Sequence, residues 1–313
     1  MNVFRSVVAW SLALLALASM PAQAAYYSAL VAFGDSLSDN GASLLAKTLD
    51  PQGGPTPRAS DGAVVVEYVA QALGITLKDY AVGGARSDSG NSDFSTGPLA
   101  QSGVQVQIEQ FRLDVANNAD PLALYFVSGG SNDVLDAILS QDLSDPAVLD
   151  AFVGGLVGNL AKAVQDLYSM GARSFVLPLL PNMGLTPEAA GMGLANDLSE
   201  LSWGINSVLA DGYAQLAAML PDAELLIYDG YATQTAILAD PAAYGLVNGT
   251  DACKDSPAAD CSTYFFWDAL HPTTAASNLL AGDILAALPA PEPATLALAA
   301  GGLLLVMVRR RRA

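Results

Sequence analysis

The sequence predicts an α/β fold of three layers, α/β/α, with a central parallel sheet of about five strands. Short apolar runs alternate along the chain with longer stretches whose apolar residues recur every three or four positions. The short runs are mostly apolar, as expected for strands that are covered on both faces. Alternation of strand and helix patterns is typical of a parallel sheet between two helical layers.

Five runs are predicted strands, at 28–33 (SALVAF), 75–82 (ITLKDYAV, the weakest), 121–130 (PLALYFVSGG), 173–181 (RSFVLPLLP) and 224–229 (ELLIYD). Helical spacing predicts helices at 62–73, 104–117, 147–170, 195–219 and 274–287. Two stretches rich in Gly, Pro, Ser and Asp, 52–62 and 86–103, are predicted loops. Ligands of such folds bind beyond the carboxyl ends of the strands, so functional residues are expected there.

The first 24 residues differ from this pattern. They contain Arg5, then an apolar run, then Ala22-Gln23-Ala24. A basic start, an apolar middle and a small-x-small site predict a secretory signal peptide, removed by signal peptidase. An N-terminal membrane anchor is the alternative, although the run is short for a span.

The C-terminal segment 290–313 combines Pro291-Glu292-Pro293, an uncharged apolar run at 294–308, and four arginines at 309–312. The run is shorter than the ~20 residues that a membrane-spanning helix needs. In this order the three parts resemble the PEP-CTERM sorting signal of Gram-negative bacteria; an ordinary C-terminal anchor is the alternative. The resemblance implies processing by an exosortase-type enzyme, transient anchoring in the inner membrane, and delivery to the cell surface or extracellular matrix.

Residues 25–289 remain as one predicted domain, and they are strongly acidic. Eight Lys or Arg residues stand against thirty Asp or Glu residues in this range. A surface of that charge repels nucleic acid, so we expect no nucleic-acid partner. The two cysteines, Cys253 and Cys261, lie in a polar loop, and we expect them to form a disulfide, which export permits. A metal pair is the alternative, but the chain has no second histidine or further cysteine to complete a zinc site.

The single histidine of the chain, His271, occurs in WDALHPT, three residues after Asp268. A carboxylate there could accept the Nδ1 hydrogen and leave Nε2 free as a base. An Asp–His contact that caps helix 274–287 is the alternative. Ser36, in FGDSLSDNG just past the first strand, is a poor nucleophile unless a base is close, and a helix N-cap is its alternative role.

Two glycine-rich blocks could stabilise an oxyanion. AVGGAR (81–86) has a glycine turn whose backbone N–H can approach a ligand closely, and GGSND (129–133) contributes the side-chain amide of Asn132. Ordinary roles are open for both, because glycines make turns and Asn often begins a helix.

Taken in order, these blocks resemble the SGNH (GDSL) hydrolase family over about residues 29–288. The resemblance implies a flavodoxin-like fold, a triad of Ser36, His271 and Asp268, and an oxyanion hole formed by the N–H groups of Ser36 and Gly84 with the side chain of Asn132. Gly84 is chosen over Gly83 from the spacing. One position departs from the family, because Asp79 stands where Asn usually opens the second block; this puts a local turn contact in doubt.

The sequence therefore predicts an exported serine esterase or lipase-type hydrolase that acts on carboxylic ester bonds and requires no metal or organic cofactor. Expected substrates are lipid esters, other acyl esters or acetylated polysaccharides. An acyltransferase with the same triad, and a surface binding protein without catalysis, are the alternatives. The segments 134–150 and 183–200 are expected to border the pocket. The chain has no G-x-S-x-G elbow, which excludes the α/β-hydrolase pattern.

Overall fold

The computed structural model describes residues 27–258 and 260–289. The predicted signal peptide, 1–24, and the predicted sorting segment, 290–313, lie outside the described residues, so the domain boundaries stay predictions.

The central sheet has five strands: β1 (Ala29–Phe33), β2 (Thr76–Asp79), β3 (Leu124–Val127), β4 (Ser174–Pro178) and β5 (Glu224–Tyr228). Their order is β2-β1-β3-β4-β5, and each neighbouring pair is parallel. The predicted parallel sheet of about five strands is confirmed, and each strand lies within the run that predicted it.

The five predicted helices are also found, as α2 (Val65–Leu73), α3 (Val104–Asp114), α5 (Pro146–Met170), α7 (Ala195–Met219) and α9 (Thr274–Ala287). Four further helices were not predicted: α1 (Leu44–Leu49), α4 (Ser131–Ser140), α6 (Pro187–Met192) and α8 (Gly230–Ala239). They are six to ten residues long. Helices of this length show few turns, so their periodicity stands out less from the adjoining loops. Helix α2, with nine residues, was predicted because its apolar residues recur at 65, 66, 69, 70 and 73.

Alternate residues of the strands enter two different cores, which produces the three layers. On β1, Val31 and Phe33 pack with α3, α5 and α7, whereas Leu30 and Ala32 pack with α2 and α9. Each face of the sheet therefore has its own helical layer. Burial of a Val, Leu or Phe side chain contributes about 1.5–3 kcal/mol, so both layers are held on the sheet mainly by apolar contact.

Helix α5 is long and apolar enough to cross a membrane by length and composition, with a mean hydropathy of 1.5 over its most apolar window. Within the fold, however, one of its faces is buried in the core through Leu156, Leu160, Val164 and Leu167. This face packs against α3 and α7, and we therefore assign α5 to the core of the domain.

A second, two-stranded sheet pairs β6 (Asn248–Ala252) with β7 (Tyr264–Phe266), and neither strand was predicted. Strand β6 reads NGTDA, which has no apolar pattern to indicate a strand. The loop between the two strands is closed by a disulfide that joins Cys253 and Cys261. Cross-links over a loop this short contribute roughly 2.5 kcal/mol in the chain-entropy account.

Candidate active site

Three of the candidate residues follow strands that are neighbours in the sheet. Ser36 lies three residues after β1, the Gly83–Gly84 turn follows β2, and Asn132 follows β3. Because β1 lies between β2 and β3, the loops that carry these residues leave the same edge of the sheet side by side. The order of strands thus brings together residues that are far apart in the chain.

The structure places Ser36, His271 and Asp268 in one hydrogen-bonded line. Ser36 Oγ lies 2.8 Å from His271 Nε2. On the other side of the ring, Nδ1 lies 2.9 Å from Asp268 Oδ1 and 3.0 Å from Oδ2. A carboxylate can only accept, so Nδ1 carries the hydrogen and Nε2 is left to accept the hydroxyl proton of Ser36.

The loop that carries His271 is shaped by Asp268. Its Oδ1 accepts the backbone N–H groups of Leu270 at 2.9 Å and His271 at 2.7 Å. Helix α9 begins beyond the ring and is capped by Thr273, whose hydroxyl accepts the N–H of Ala276. The Asp–His contact is therefore not a helix cap, and this alternative is wrong.

Burial of Asp268 disfavours its charged form, but the hydrogen bonds from the ring and backbone of His271 and from the Leu270 N–H outweigh it. The pKa of Asp268 is held well below its usual range as a result. Lys254 Nζ lies 3.7 Å from Asp268 Oδ2 but is half exposed, so its contribution is small. Asp268 is thus ionised at neutral pH and can stabilise an imidazolium beside it.

Ser36 does not cap a helix. It lies in a turn in which the carboxylate of Asp35 accepts the N–H of Leu37, and the next helix, α1, is capped by Ser43. The side chain of Ser36 is consequently free to bond His271, and the capping alternative is wrong.

The two glycines after β2 differ in what their N–H groups do. The Gly83 N–H donates to Asp39 Oδ2 at 2.9 Å, whereas the N–H groups of Gly84 and Ser36 have no acceptor among the described residues. Gly84 has φ +75°, and a Cβ there would lie 2.4 Å from Asn91 Oδ1, so the turn requires glycine. The role of Gly84 stays a prediction, and its N–H is the one available to a ligand.

Asn132 is the second residue of α4 and is 8 % exposed. One hydrogen of its Nδ2 is donated to the carbonyl of Ala85 at 3.0 Å. That carbonyl belongs to the residue after Gly84, so Asn132 is tied to the glycine turn. The amide has a second hydrogen, which can be donated to a ligand beside Ser36.

Asp79, the departure from the family pattern, still makes the local turn contacts that were in doubt. Its two oxygens accept the N–H groups of Asn40 and Ala81, each at 2.9 Å. Burial raises the pKa of Asp79 to about 8, and the nearby charges of Asp39 and Glu67 act in the same direction. The carboxyl therefore holds its proton in the folded chain at pH values where it is ionised in the unfolded chain.

The raised pKa of Asp79 predicts a pH-dependent stability. Between about pH 4 and pH 8 the folded chain binds a proton that the unfolded chain does not, so the free energy of unfolding falls as pH rises. Asp79→Asn removes this titrating carboxyl and with it the pH dependence that it causes. As pH rises, the free energy of unfolding of the variant is expected to gain on that of wild type by up to ~1.4 kcal/mol per pH unit.

Urea unfolding of both proteins at pH 5 and pH 8 measures this effect. Asp222→Asn, at an exposed turn, is the matched control. Its difference from wild type in free energy of unfolding should be the same at both pH values. An equal gap between Asp79→Asn and wild type at both pH values would contradict the prediction.

A cavity of about 120 Å³ opens beside Ser36 and His271, and we call it the inner cavity. Of the residues expected to border the pocket, Met183 lines it, but Leu135 and Ile138 pack into the core and Leu139 is exposed. Its wall includes residues that sequence reasoning missed: Val65, Phe126, Tyr228, Gln234, Leu280 and Ile284. They come from five separate elements, and no local pattern marks them as neighbours. In the described part of the chain, no cluster of His, Cys, Asp or Glu could hold a metal ion.

Comparison with known proteins shows the family of this chain. The family model of the GDSL-like lipase/acylhydrolases matches residues 30–284. This chain belongs to the GDSL-like lipase/acylhydrolase family. A second match, to the PEP-CTERM protein-sorting motif, covers residues 289–312 of this GDSL hydrolase. Both resemblances drawn from the sequence are confirmed.

Relatives with established names support the class of reaction. The GDSL esterase/lipase At1g71691 of Arabidopsis thaliana is 28 % identical, over 83 % of each chain. Esterase EstA of Pseudomonas aeruginosa is 29 % identical over 86 % of this chain, which spans 48 % of that protein. This GDSL hydrolase is thus an ester hydrolase, as predicted. Among solved structures, the acetylxylan esterase Axe2 of Geobacillus stearothermophilus superposes on this chain with a TM-score of 0.47 at 17 % sequence identity. The superposition covers 84 % of this chain and 95 % of that one.

Proposed function

We propose that this protein is an exported serine esterase that cleaves carboxylic esters with Ser36 as nucleophile, His271 as general base and acid, and Asp268 as the group that orients the ring. The observation that carries the proposal is the continuous hydrogen-bonded line from Ser36 Oγ through both ring nitrogens to Asp268. A hydroxyl bonded to a neutral imidazole in this way is the arrangement that makes serine a nucleophile.

Acylation begins when Ser36 Oγ attacks the carbonyl carbon of the ester. The hydroxyl proton passes to His271 Nε2, and the electron pair of the C=O bond moves to the oxygen. The imidazolium that forms is stabilised by the ionised Asp268. When the tetrahedral intermediate collapses, the bond to the leaving oxygen breaks, and His271 returns the proton to the departing alcohol.

The developing oxyanion needs hydrogen-bond donors, and three are suited to it. They are the N–H groups of Ser36 and Gly84, which bond no acceptor among residues 27–258 and 260–289, and the second amide hydrogen of Asn132. Fixed donors of this kind contribute ~3 kcal/mol each to transition-state stabilisation. The bond from Asn132 to the carbonyl of Ala85 holds Asn132 against the turn that contains Gly84, which supports a preorganised position for these two donors.

Deacylation repeats these steps with water. Water gives a proton to His271 Nε2 and attacks the acyl carbon, and collapse of the second intermediate releases the acid and restores the hydroxyl of Ser36. An acyltransferase would use an alcohol in place of water, and product analysis with a competing alcohol separates the two.

Labelling with a fluorophosphonate probe tests the proposal directly. Ser36 is expected to displace fluoride and gain the phosphonyl group, found by mass spectrometry on the peptide that contains it. Ser169→Ala, at an exposed serine far along the chain, should label like wild type, whereas Ser36→Ala should not label. A folded wild-type protein that does not label would contradict the proposal and favour a binding protein.

Export rests on the two ends of the chain. The predicted signal peptide, 1–24, and the PEP-CTERM motif at 289–312 support secretion, processing by signal peptidase and an exosortase-type enzyme, and delivery to the cell surface. The substrate would then be an ester met outside the cytoplasm.

A further inference from the structure

The inner cavity extends from the reacting atoms into the core of the domain. Ser36 and His271 line it together with Val65, Phe126 and Ile284, which are buried members of the core between the sheet and helices α2 and α9. Protein interiors are close-packed, and an empty apolar space destabilises the fold. We therefore expect an apolar cavity beside a nucleophile to be filled by part of the bound substrate.

The two parts of an ester differ in how they leave the site. The alcohol part must depart before water can attack, so it requires a path to solvent. The acyl part stays attached to Ser36 until the second step. A cavity walled by buried core residues suits the part that stays, and this assigns the inner cavity to the acyl group.

The volume of the cavity limits the length of that group. An apolar cavity of roughly 150 Å³ holds one benzene molecule, which has six carbons. The inner cavity, at about 120 Å³, holds on that scale about four or five carbons.

One wall of the cavity carries a buried polar group that has no partner. Gln234, on α8, is 4 % exposed, and its side-chain oxygen has no hydrogen bond within the described chain. Among the other polar side chains of the wall, Ser38 and Ser128 bond each other, and the hydroxyl of Thr186 donates to the carbonyl of Met183. The hydroxyl of Tyr228 is also buried without a hydrogen bond among the described residues, but it lies beside Thr233 and Asp283. Buried polar groups are nearly always hydrogen-bonded. We therefore expect a bound ligand to donate a hydrogen bond to the side-chain oxygen of Gln234.

We propose that the inner cavity binds an acyl group of about four or five carbons that carries a hydroxyl, and that Gln234 recognises this hydroxyl. A hydroxyl can donate to the amide oxygen or accept from the amide nitrogen, so it satisfies Gln234 in either orientation of the amide. The preferred substrates are thus short hydroxyacyl esters. This inference rests on the proposed function and goes beyond it, because it names the acyl group.

The test compares two esters of one alcohol, ethyl 3-hydroxybutanoate and ethyl butanoate, in wild type and Gln234→Leu. Wild type is expected to favour the hydroxylated ester in kcat/KM. In Gln234→Leu this preference should fall by about 10- to 100-fold, mostly through loss on the hydroxylated ester, because its hydroxyl is then buried without a partner. Gln71→Leu, at an exposed position of α2, is the matched control and should keep the wild-type preference.

A preference that is equal in Gln234→Leu and wild type would overturn the role of Gln234, and its oxygen would then be bonded to a buried water. Ethyl esters of increasing acyl length test the cavity itself. Rates should rise to butanoate or pentanoate and fall beyond, and a decanoate ester cleaved as fast as butanoate would overturn the assignment of the cavity. If wild type cleaves no ester and Ser36 does not label, the proposed function fails as well, whereas labelling with no acyl preference refutes this inference alone.

Discussion

Ser36→Ala is expected to lower kcat for ester hydrolysis by about a million-fold while leaving the fold intact. Without the hydroxyl, no covalent intermediate forms, and only direct attack by water remains. Within the part of the chain that the structure describes, the side chain of Ser36 hydrogen-bonds His271 alone, so its loss breaks no other hydrogen bond there.

His271→Ala is expected to reduce kcat to a similar extent, and the double variant should lose no more than either single one. The two residues act as a unit, because a serine without its base and a base without its serine are equally ineffective. Asp268→Asn should cost less, about ten-thousand-fold, because it upsets the tautomer of the ring but removes neither reacting group.

Initial rates with ethyl butanoate, measured on proteins whose unfolding midpoints match wild type, provide the comparison. Ser169→Ala serves again as the control that should retain full activity. Losses in Ser36→Ala and His271→Ala that multiplied in the double variant would show that the two side chains act independently, and so would contradict the triad.

Asn132→Ala is expected to lower kcat by about 100- to 1000-fold with little change in KM. A donor that meets the oxyanion only in the transition state contributes to the rate and not to substrate binding. Asn132 is only one of many residues that line the inner cavity, and its amide takes no part in the Ser36–His271 bond, so binding of the acyl group should largely persist.

Asn132 also donates to the carbonyl of Ala85, and its removal leaves that buried group without a partner. Thermal unfolding of the variant separates the two effects, since a loss of stability alone would lower the midpoint without changing kcat at low temperature. A kcat within about threefold of wild type at a temperature where both proteins are folded would show that Asn132 is not an oxyanion donor.

The sequence predicted the long elements of the fold well because each carries its own signal. A strand buried on both faces is a mostly apolar run, and the predicted helices, nine to twenty-five residues long, repeat their apolar spacing at least twice. The same local signals failed for α8 and β6, and α8 is the helix that carries Gln234.

The candidate triad could also be predicted from the sequence. One histidine in the whole chain, with an aspartate three residues before it, leaves only one imidazole for Ser36. The bond between Ser36 and His271 nevertheless spans 235 positions, and only the order of strands β2-β1-β3 and the return of the chain through β7 bring the two side chains together.

The amino-acid sequence by itself determined the layers, the parallel sheet and the residue types available for chemistry, because these depend on periodicity and on short motifs. The tertiary structure alone decided which glycine N–H is unpartnered, how Asp79 bonds the turn, and which side chains enclose the inner cavity. Those features are set by contacts between elements distant in the chain, as when Val65, Phe126, Gln234 and Ile284 line one space. Packing between elements is not encoded in any single stretch of sequence, so the specificity of the site emerges only when the layers close on one another.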